Sequence, residues 1–406
     1  MIRGVPGDNA RAMNRPALRL AIPLLAALVA ACTPFESLWK KPPRAERKAA
    51  EAAPAPELPL GEATHRFFVA PDQDVVGRLQ STVAKHEDTF ADIARRFNVG
   101  YTELVRANPG VDPWLPGEGT RIVLPTEFIL PDAPREGLVL NLAQMRLYYY
   151  PEPKEEGPVE VITHPIGIGK VGWATPEGAT KVTSHVKDPT WTPPVSVRKE
   201  HAKEGDILPP TVPPGPDNPL GRHMMRLGWP SYLIHGTNKP PAVGMRASAG
   251  CVRLYPEDIA LLYEAVPDGT KVTVVNQPVL LGWHGDRLLV QAYQPLEDDK
   301  RDWSDVTRAL RQKMKKPKSP LWKKVALHDE AIDWEAVRAA AAEPRGIAHA
   351  VGPGPRRDLG PMIEEAPRVR NAIPVGATWN GVEDQYAGDP RFAKPADDGP
   401  KASAGS

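Results

Sequence analysis

Between residues 75 and 124 the apolar positions change period twice. Val75, Val76, Leu79 and Val83 predict a strand. Phe90, Ile93, Ala94 and Phe97 then recur at i, i+3, i+4 and i+7, which predicts an amphipathic helix with Asp88 as its N-cap. A second short helix from about Thr102 carries Leu104 and Val105 and stops at the turn signal Asn108-Pro109-Gly110. Ile122, Val123 and Leu124 make a closing strand after Pro116-Gly117. From Gly137 the pattern is of strands, over 139–142, 146–150, 160–166 and 270–275. A helix with Ile259, Leu262, Tyr263 and Val266 on its apolar face precedes the last of them. Residues 205–245 hold nine prolines and read as a shaped loop, neither helix nor central strand, of the kind that serves a site. Residues 279–293 form a hairpin turning at Gly285-Asp286, and Trp303 to Met314 and Trp334 to Ala341 are amphipathic helices.

Composition adds the boundaries. Of 406 residues 48 are proline, about twice ordinary usage, while apolar residues make 41% and charged ones 25%. Those shares exclude a membrane bundle, a coiled coil and a wholly disordered chain, and they put the excess proline in linkers. A net charge of +1 gives no field that favours nucleic acid. Residues 33–72, rich in Pro, Ala, Lys and Glu, read as a disordered tether, and the last 55 residues read as a disordered tail.

Four arginines precede an apolar run from Leu20 to Ala31, too short to span a bilayer and interrupted by Pro23, so this segment reads as a signal peptide. Val29-Ala30-Ala31-Cys32 resembles a bacterial lipobox, which implies lipidation of Cys32, a membrane anchor and, with Thr33 next, delivery to the outer membrane. Cys251 is then the only thiol of the mature chain, which excludes an internal disulfide. The histidines are scattered without HExxH or paired-cysteine spacing, so neither metal nor cofactor is expected.

Gly167-Ile168-Gly169-Lys170-Val171-Gly172 matches the GxGxxG dinucleotide fingerprint, but Pro176 and Gly178 prevent the helix that fingerprint needs. The chemistry lies instead at Ile234-His235-Gly236-Thr237 and Ser248-Ala249-Gly250-Cys251-Val252-Arg253-Leu254. A thiol titrating near ~8.5 needs a base to act at neutral pH, and imidazole suits that role. Gly250 permits close backbone approach, and amides around Cys251 can donate to an oxyanion. By themselves a Cys and a His sixteen residues apart also fit a buried structural thiol and a hydrogen-bonded core histidine.

The pair of motifs, HG followed by S-x-G-C-x-R, together with Gly167-Ile168-Gly169 and Thr175-Pro176-Glu177-Gly178, resembles the L,D-transpeptidase catalytic domain of bacterial cell-wall enzymes. Asp88-Thr89-Phe90 through Ile93-Ala94, then Ala107-Asn108-Pro109, resembles the lysin motif (LysM), which binds N-acetylglucosamine-containing glycans. The order of the two is similar to that of periplasmic enzymes of the ErfK type.

The resemblance implies a mostly β catalytic domain, an L,D-transpeptidase β-sandwich, beside a small α/β LysM-like domain. The organisation expected is signal peptide 1–31, lipidated Cys32 and tether 32–72, LysM-like domain 73–125, catalytic domain 136–276, hairpin and helices 277–350, and tail 351–406. It implies Cys251 as nucleophile, His235 as base and then acid, and the Gly236 carbonyl orienting the imidazole. Thr237, Ser248, Gly250 and Arg253 would meet substrate, while Ala249 departs from the histidine common in the family. Peptidoglycan stem peptides and glycan strands are the implied partners, with a second stem or an outer-membrane lipoprotein as acceptor, in the periplasm. Hydrolysis by the same cysteine, as an L,D-carboxypeptidase or lipoprotein-detaching hydrolase, is the near alternative. A non-catalytic peptidoglycan-binding lipoprotein is the distant one.

Overall fold

The computed structural model describes residues 65–153, 157–353 and 358–373. The expected signal peptide, Cys32, the tether as far as residue 64 and the tail beyond 373 lie outside the described residues. The tether is expected to run to 72, but β1 (Arg66–Val69) belongs to the folded part: Val69 is fully buried and Phe67 packs beside it. Alternation over only four residues, next to a proline-rich stretch, is too short a signal to read.

The strand expected from Val75 to Val83 is two strands, β2 (Val75–Gly77) and β3 (Gln80–Val83). Gly77 makes the break. At φ +76° it brings the backbone so close to Thr126 that a Cβ would lie 2.1 Å from that carbonyl oxygen. The expected strand–helix–helix–strand order follows as β3, α1 (Phe90–Arg96), α2 (Tyr101–Ala107) and β4 (Arg121–Leu124). β3 and β4 pair antiparallel around Phe90, Ile93, Leu104 and Ile122. The N-cap of α1 is Thr89, not Asp88: Thr89 Oγ1 accepts from the Asp92 N–H while the Asp92 carboxylate accepts from the Thr89 N–H. Asp88 is buried and accepts instead from Lys85, Arg96 and Asn371. β5 (Glu127–Ile129) then pairs with β2.

The next stretch contributes β6 (Gly137–Asn141), β7 (Arg146–Tyr150), β8 (Val159–Pro165), β9 (Ile168–Gly169), β10 (Gly178–Lys187), α3 (Val195–Lys203), β11 (His223–Leu227), β12 (Leu233–His235), β13 (Arg246–Ser248), β14 (Val252–Arg253), α4 (Pro256–Ala265) and β15 (Lys271–Val275). The expected sandwich is built from one hydrogen-bonded sheet, in the order β1-β8-β7-β6-β15-β10-β11-β12-β14. β10 serves both halves: Gly178 to Lys181 pair with β15, and from Val182 onward the strand pairs with β11, across a bulge between Val182 and Ser184. Leu138, Leu147 and Val272 from one half share a core with Met225, Ile234 and Val252 from the other, and with Ile259 and Leu262 of α4. The proline-rich stretch is therefore not all loop. β11 runs in the proline-free gap between Pro219 and Pro230, in the interior of the sheet.

Beyond it β16 (Val279–His284) and β17 (Arg287–Ala292) make the expected hairpin, with His284 opposite Arg287 across Gly285-Asp286. Helices α5 (Val306–Lys315), α6 (Pro320–Leu327) and α7 (Trp334–Ala342) close over Trp283, Leu310, Trp322 and Val337. β18 (His349–Ala350) adds to β17. The tail expected to be disordered from 351 is ordered over 358–373. There α8 (Leu359–Glu365) and the residues after it return to the first module: the Ser81 N–H donates to Pro367 O, the Val369 N–H donates to Ser81 O, and Val369 enters the core of α1 and α2. The Arg121 guanidinium donates to the carbonyls of Ile363, Glu364 and Ala366. Proline and glycine around these few apolar residues hide them from a compositional reading.

All described residues belong to one compact unit, and its seam is polar and buried. Arg146 on β7 and Glu103 on α2 form a two-pronged pair at 2.8 and 3.1 Å, with side chains 0% and 4% exposed. The Arg146 guanidinium also lies 4.0 Å over the Phe128 ring. Burial by itself would lower the Arg146 pKa, yet Glu103 outweighs it and the net direction is upward. Arg95 bonds Glu257 through two nitrogens, and Asn98 donates to Asp258. Glu103→Gln leaves a buried cation without its counter-charge and is expected to cost about 3–5 kcal/mol in urea unfolding. Adding Arg146→Met to that variant should recover part of the loss, and a Glu103→Gln protein as stable as wild type would contradict this account of the seam.

Candidate active site

β12 and β14 run parallel, with Ile234 opposite Val252 and His235 opposite Arg253. Opposed residues of a parallel pair share a face, and so do residues two apart along one strand. His235 and Arg253 are therefore neighbours on one face, and Cys251 immediately precedes β14. The imidazole is buried, at 3% exposure, and its Nδ1 lies 2.6 Å from the Gly236 carbonyl oxygen. A carbonyl can only accept, so Nδ1 carries the proton and Nε2 keeps its lone pair for a substrate or thiol proton. The backbone thus takes the orienting part that a carboxylate takes in a triad.

Cys251 is half-buried, and its thiol donates to Ser231 O at 3.6 Å. Ser231 sits at φ +69° in the turn joining β11 and β12, an uncommon conformation for a residue with a side chain. Burial pushes the Cys251 pKa up, against the pull of the Leu233 backbone bond and the Arg253 charge. Burial, and then the Arg253 charge, push His235 down to about 3, with the carbonyls of Gly236 and Leu220 acting the other way. Both shifts favour the neutral thiol and neutral imidazole at neutral pH, so chemistry at this cysteine would require the proton to leave sulfur as the sulfur attacks.

The turn carrying Cys251 is tightly held. Ser248 Oγ donates to Cys251 O at 2.6 Å and accepts from the Gly250 N–H at 3.2 Å. Gly250 is at φ +103°, and a Cβ there would lie 3.0 Å from Cε1 of Tyr232, so only glycine fits. Ala249 is exposed at the tip of the turn. Ser248 ties the turn, and the buried Thr237 hydroxyl accepts from the Lys239 N–H. Arg253 remains beside the thiol and imidazole, its Nε buried without a hydrogen-bond partner among the described residues.

The GxGxxG stretch is a strand and a turn, not a phosphate loop. Gly169 in β9 leads into a turn closed by Trp173 N–H to Lys170 O, and then into β10. A Cβ on Gly169 would lie 1.8 Å from Trp173 O and 3.1 Å from the Gly250 Cα, so its glycine serves close packing against the Cys251 turn. Tyr232 and Ser231 adjoin this site without any mark in the sequence, and so does Thr175, which the sequence offers only as part of the Thr175–Gly178 stretch of the family pattern. Ser231 touches it through its carbonyl, Tyr232 through its ring and Thr175 through its hydroxyl, contacts that carry no sequence spacing of their own.

A mostly β domain with an imidazole at the end of β12 and a thiol immediately before its parallel neighbour β14 holds the residue types that cysteine–histidine acyl transfer uses. Residues 135–274 match the family model YkuD, described as the L,D-transpeptidase catalytic domain. The chain is 45% identical to "Probable L,D-transpeptidase YcfS" of Escherichia coli K12 over 212 residues, 51% of this chain and 65% of that protein. It is 43% identical to "Probable L,D-transpeptidase ErfK/SrfK" of Salmonella typhimurium LT2 over 228 residues, covering 54% of this chain and 72% of that one. With the protein of the same name in Escherichia coli K12 it shares 40% identity over 240 residues, 57% of this chain and 76% of the relative. The chain thus spans just under two thirds of the YcfS protein's length. It belongs to the L,D-transpeptidase family.

Proposed function

We propose that this protein transfers the acyl group of a peptidoglycan stem peptide through Cys251. The observation that most supports the reading is the parallel pairing of β12 with β14, in which His235 lies opposite Arg253, two residues after Cys251, while the imidazole Nδ1 lies 2.6 Å from the Gly236 carbonyl oxygen. Cys251 Sγ attacks the carbonyl carbon of diaminopimelate in a tetrapeptide stem while the S–H proton passes to His235 Nε2. Collapse of the tetrahedral intermediate breaks the C–N bond, and His235 returns the proton to the departing D-Ala amine. The thioester is then attacked by an acceptor amine, which loses its proton to His235; the S–C bond breaks and that proton restores the thiol. A diaminopimelate amine as acceptor gives a cross-link, and a lysine of a lipoprotein gives an anchored protein. Lipidation of Cys32 would hold the enzyme at the outer membrane in the periplasm, with the LysM-like module on glycan strands.

The test is incubation with purified muropeptides followed by mass spectrometry. Released D-Ala together with diaminopimelate-linked dimers supports transfer. Release of D-Ala with tripeptide monomers alone would replace transfer by hydrolysis, and unchanged muropeptides would favour the non-catalytic binding lipoprotein.

A further inference from the structure

The Thr175 hydroxyl lies between the two segments that meet at the Cys251 turn. Its Oγ1 accepts from the Gly169 N–H at 3.1 Å and donates to the Gly250 carbonyl oxygen at 2.9 Å. The side chain is buried, at 7% exposure, so neither bond competes with bulk water. The Gly250 carbonyl belongs to the peptide unit whose other end is the Cys251 N–H. In a trans peptide the C=O and the N–H point in opposite directions, and the unit is rigid. Holding the carbonyl oxygen therefore aims the N–H. The remaining bonds of the turn are made by Ser248 to Gly250 N and Cys251 O, and among the described residues no hydrogen bond takes up the Cys251 N–H. Gly250, at φ +103°, has the backbone freedom to swing without such a tie.

We propose that Thr175 is a positioning residue that aims the Cys251 N–H at the oxyanion formed when Cys251 attacks a carbonyl. The inference rests on the acyl-transfer reading above. An oxyanion donor acts through pre-set direction, and losing one costs on the order of 10²–10³ in rate. Loss of its aim should cost part of that. Binding of the substrate, and displacement reactions at sulfur that develop no oxyanion, should not change.

The experiment compares two reactions of the same thiol in wild type, Thr175→Val and Thr175→Ser. Carbapenem acylation, followed by stopped flow and intact mass, passes through an oxyanion; alkylation by iodoacetamide does not. Thr175→Val is expected to lower the limiting acylation rate at least tenfold, with the half-saturating carbapenem concentration and the alkylation rate within about twofold of wild type. Thr175→Ser, which keeps the hydroxyl, should return acylation to within about threefold. Should the valine protein not fold, Thr175→Ala removes the hydroxyl without added volume and carries the same comparison. Equal losses in both reactions would reduce Thr175 to a structural role, and unimpaired acylation in the valine variant would overturn the proposal outright. A wild-type protein that is alkylated but never acylated would overturn the acyl-transfer reading itself, and this inference with it.

Discussion

Cys251→Ala is expected to abolish both carbapenem adduct formation and muropeptide turnover while leaving the fold in place. Removing the sulfur leaves no route to a thioester, so the loss should reach the detection limit. The structural cost is small. The half-buried thiol is a weak donor, and its bond to the Ser231 carbonyl is long at 3.6 Å, whereas the turn itself is held by Ser248 and Thr175. Urea unfolding should stay within about 1 kcal/mol of wild type. A carbapenem adduct of full mass in the alanine protein would place the reactive group elsewhere, and residual cross-linking of muropeptides would do the same.

His235→Asn is expected to slow acylation by roughly 10²–10⁴, the usual scale for a general base. Asparagine keeps an N–H for the Gly236 carbonyl and so spares the local fold while removing the base. The pH profile separates this from a packing defect. With His235 held down to about 3 and the Cys251 thiol pushed up by burial, the wild-type pair stays in its neutral, reactive form across the neutral range. Acylation should therefore be flat between about pH 5 and 8, with no acid limb near ~6.5, where an ordinary imidazole titrates. In the asparagine variant the thiol must ionise without help, so its rate should climb with pH and close on wild type as the thiol's own pKa is approached. A wild-type limb near ~6.5, or a variant profile parallel to wild type, would contradict the neutral-pair mechanism.

Much of the chain can be read from period and motif. Phe90, Ile93, Ala94 and Phe97 make a helix because i, i+3, i+4 and i+7 is the repeat of a buried helical face. The 279–293 hairpin turns at Gly285 because that position needs φ above zero. His235, Gly236 and Cys251 are legible as candidates because the proposed acyl transfer needs those atom types in the spacing of the motif. Boundaries and exceptions are harder. Asp88 is as good an N-cap by type as Thr89, and only the reciprocal bonds with Asp92 decide between them. β1 and the 358–373 segment escape a sequence reading because short apolar patterns in proline-rich surroundings gain their stability from distant partners, β8 and β3, that local composition does not reveal.

The chain's residues alone therefore reveal the set of amphipathic elements, the candidate reacting groups and the family that the motifs resemble. Each of these depends on neighbours within a few residues, through side-chain period, backbone freedom or chemical type. Only the closed fold puts His235 opposite Arg253, two residues beyond Cys251, through the register of β12 with β14. It also set the burial that pushes the Cys251 thiol up and the His235 imidazole down, and the meeting of Glu103 with Arg146 across the seam. It also decided that Thr175, 75 residues from Gly250, ties down the turn beneath the thiol. Desolvation and long-range hydrogen bonding exist only once distant segments have closed around one another, and no local pattern encodes which segments those are.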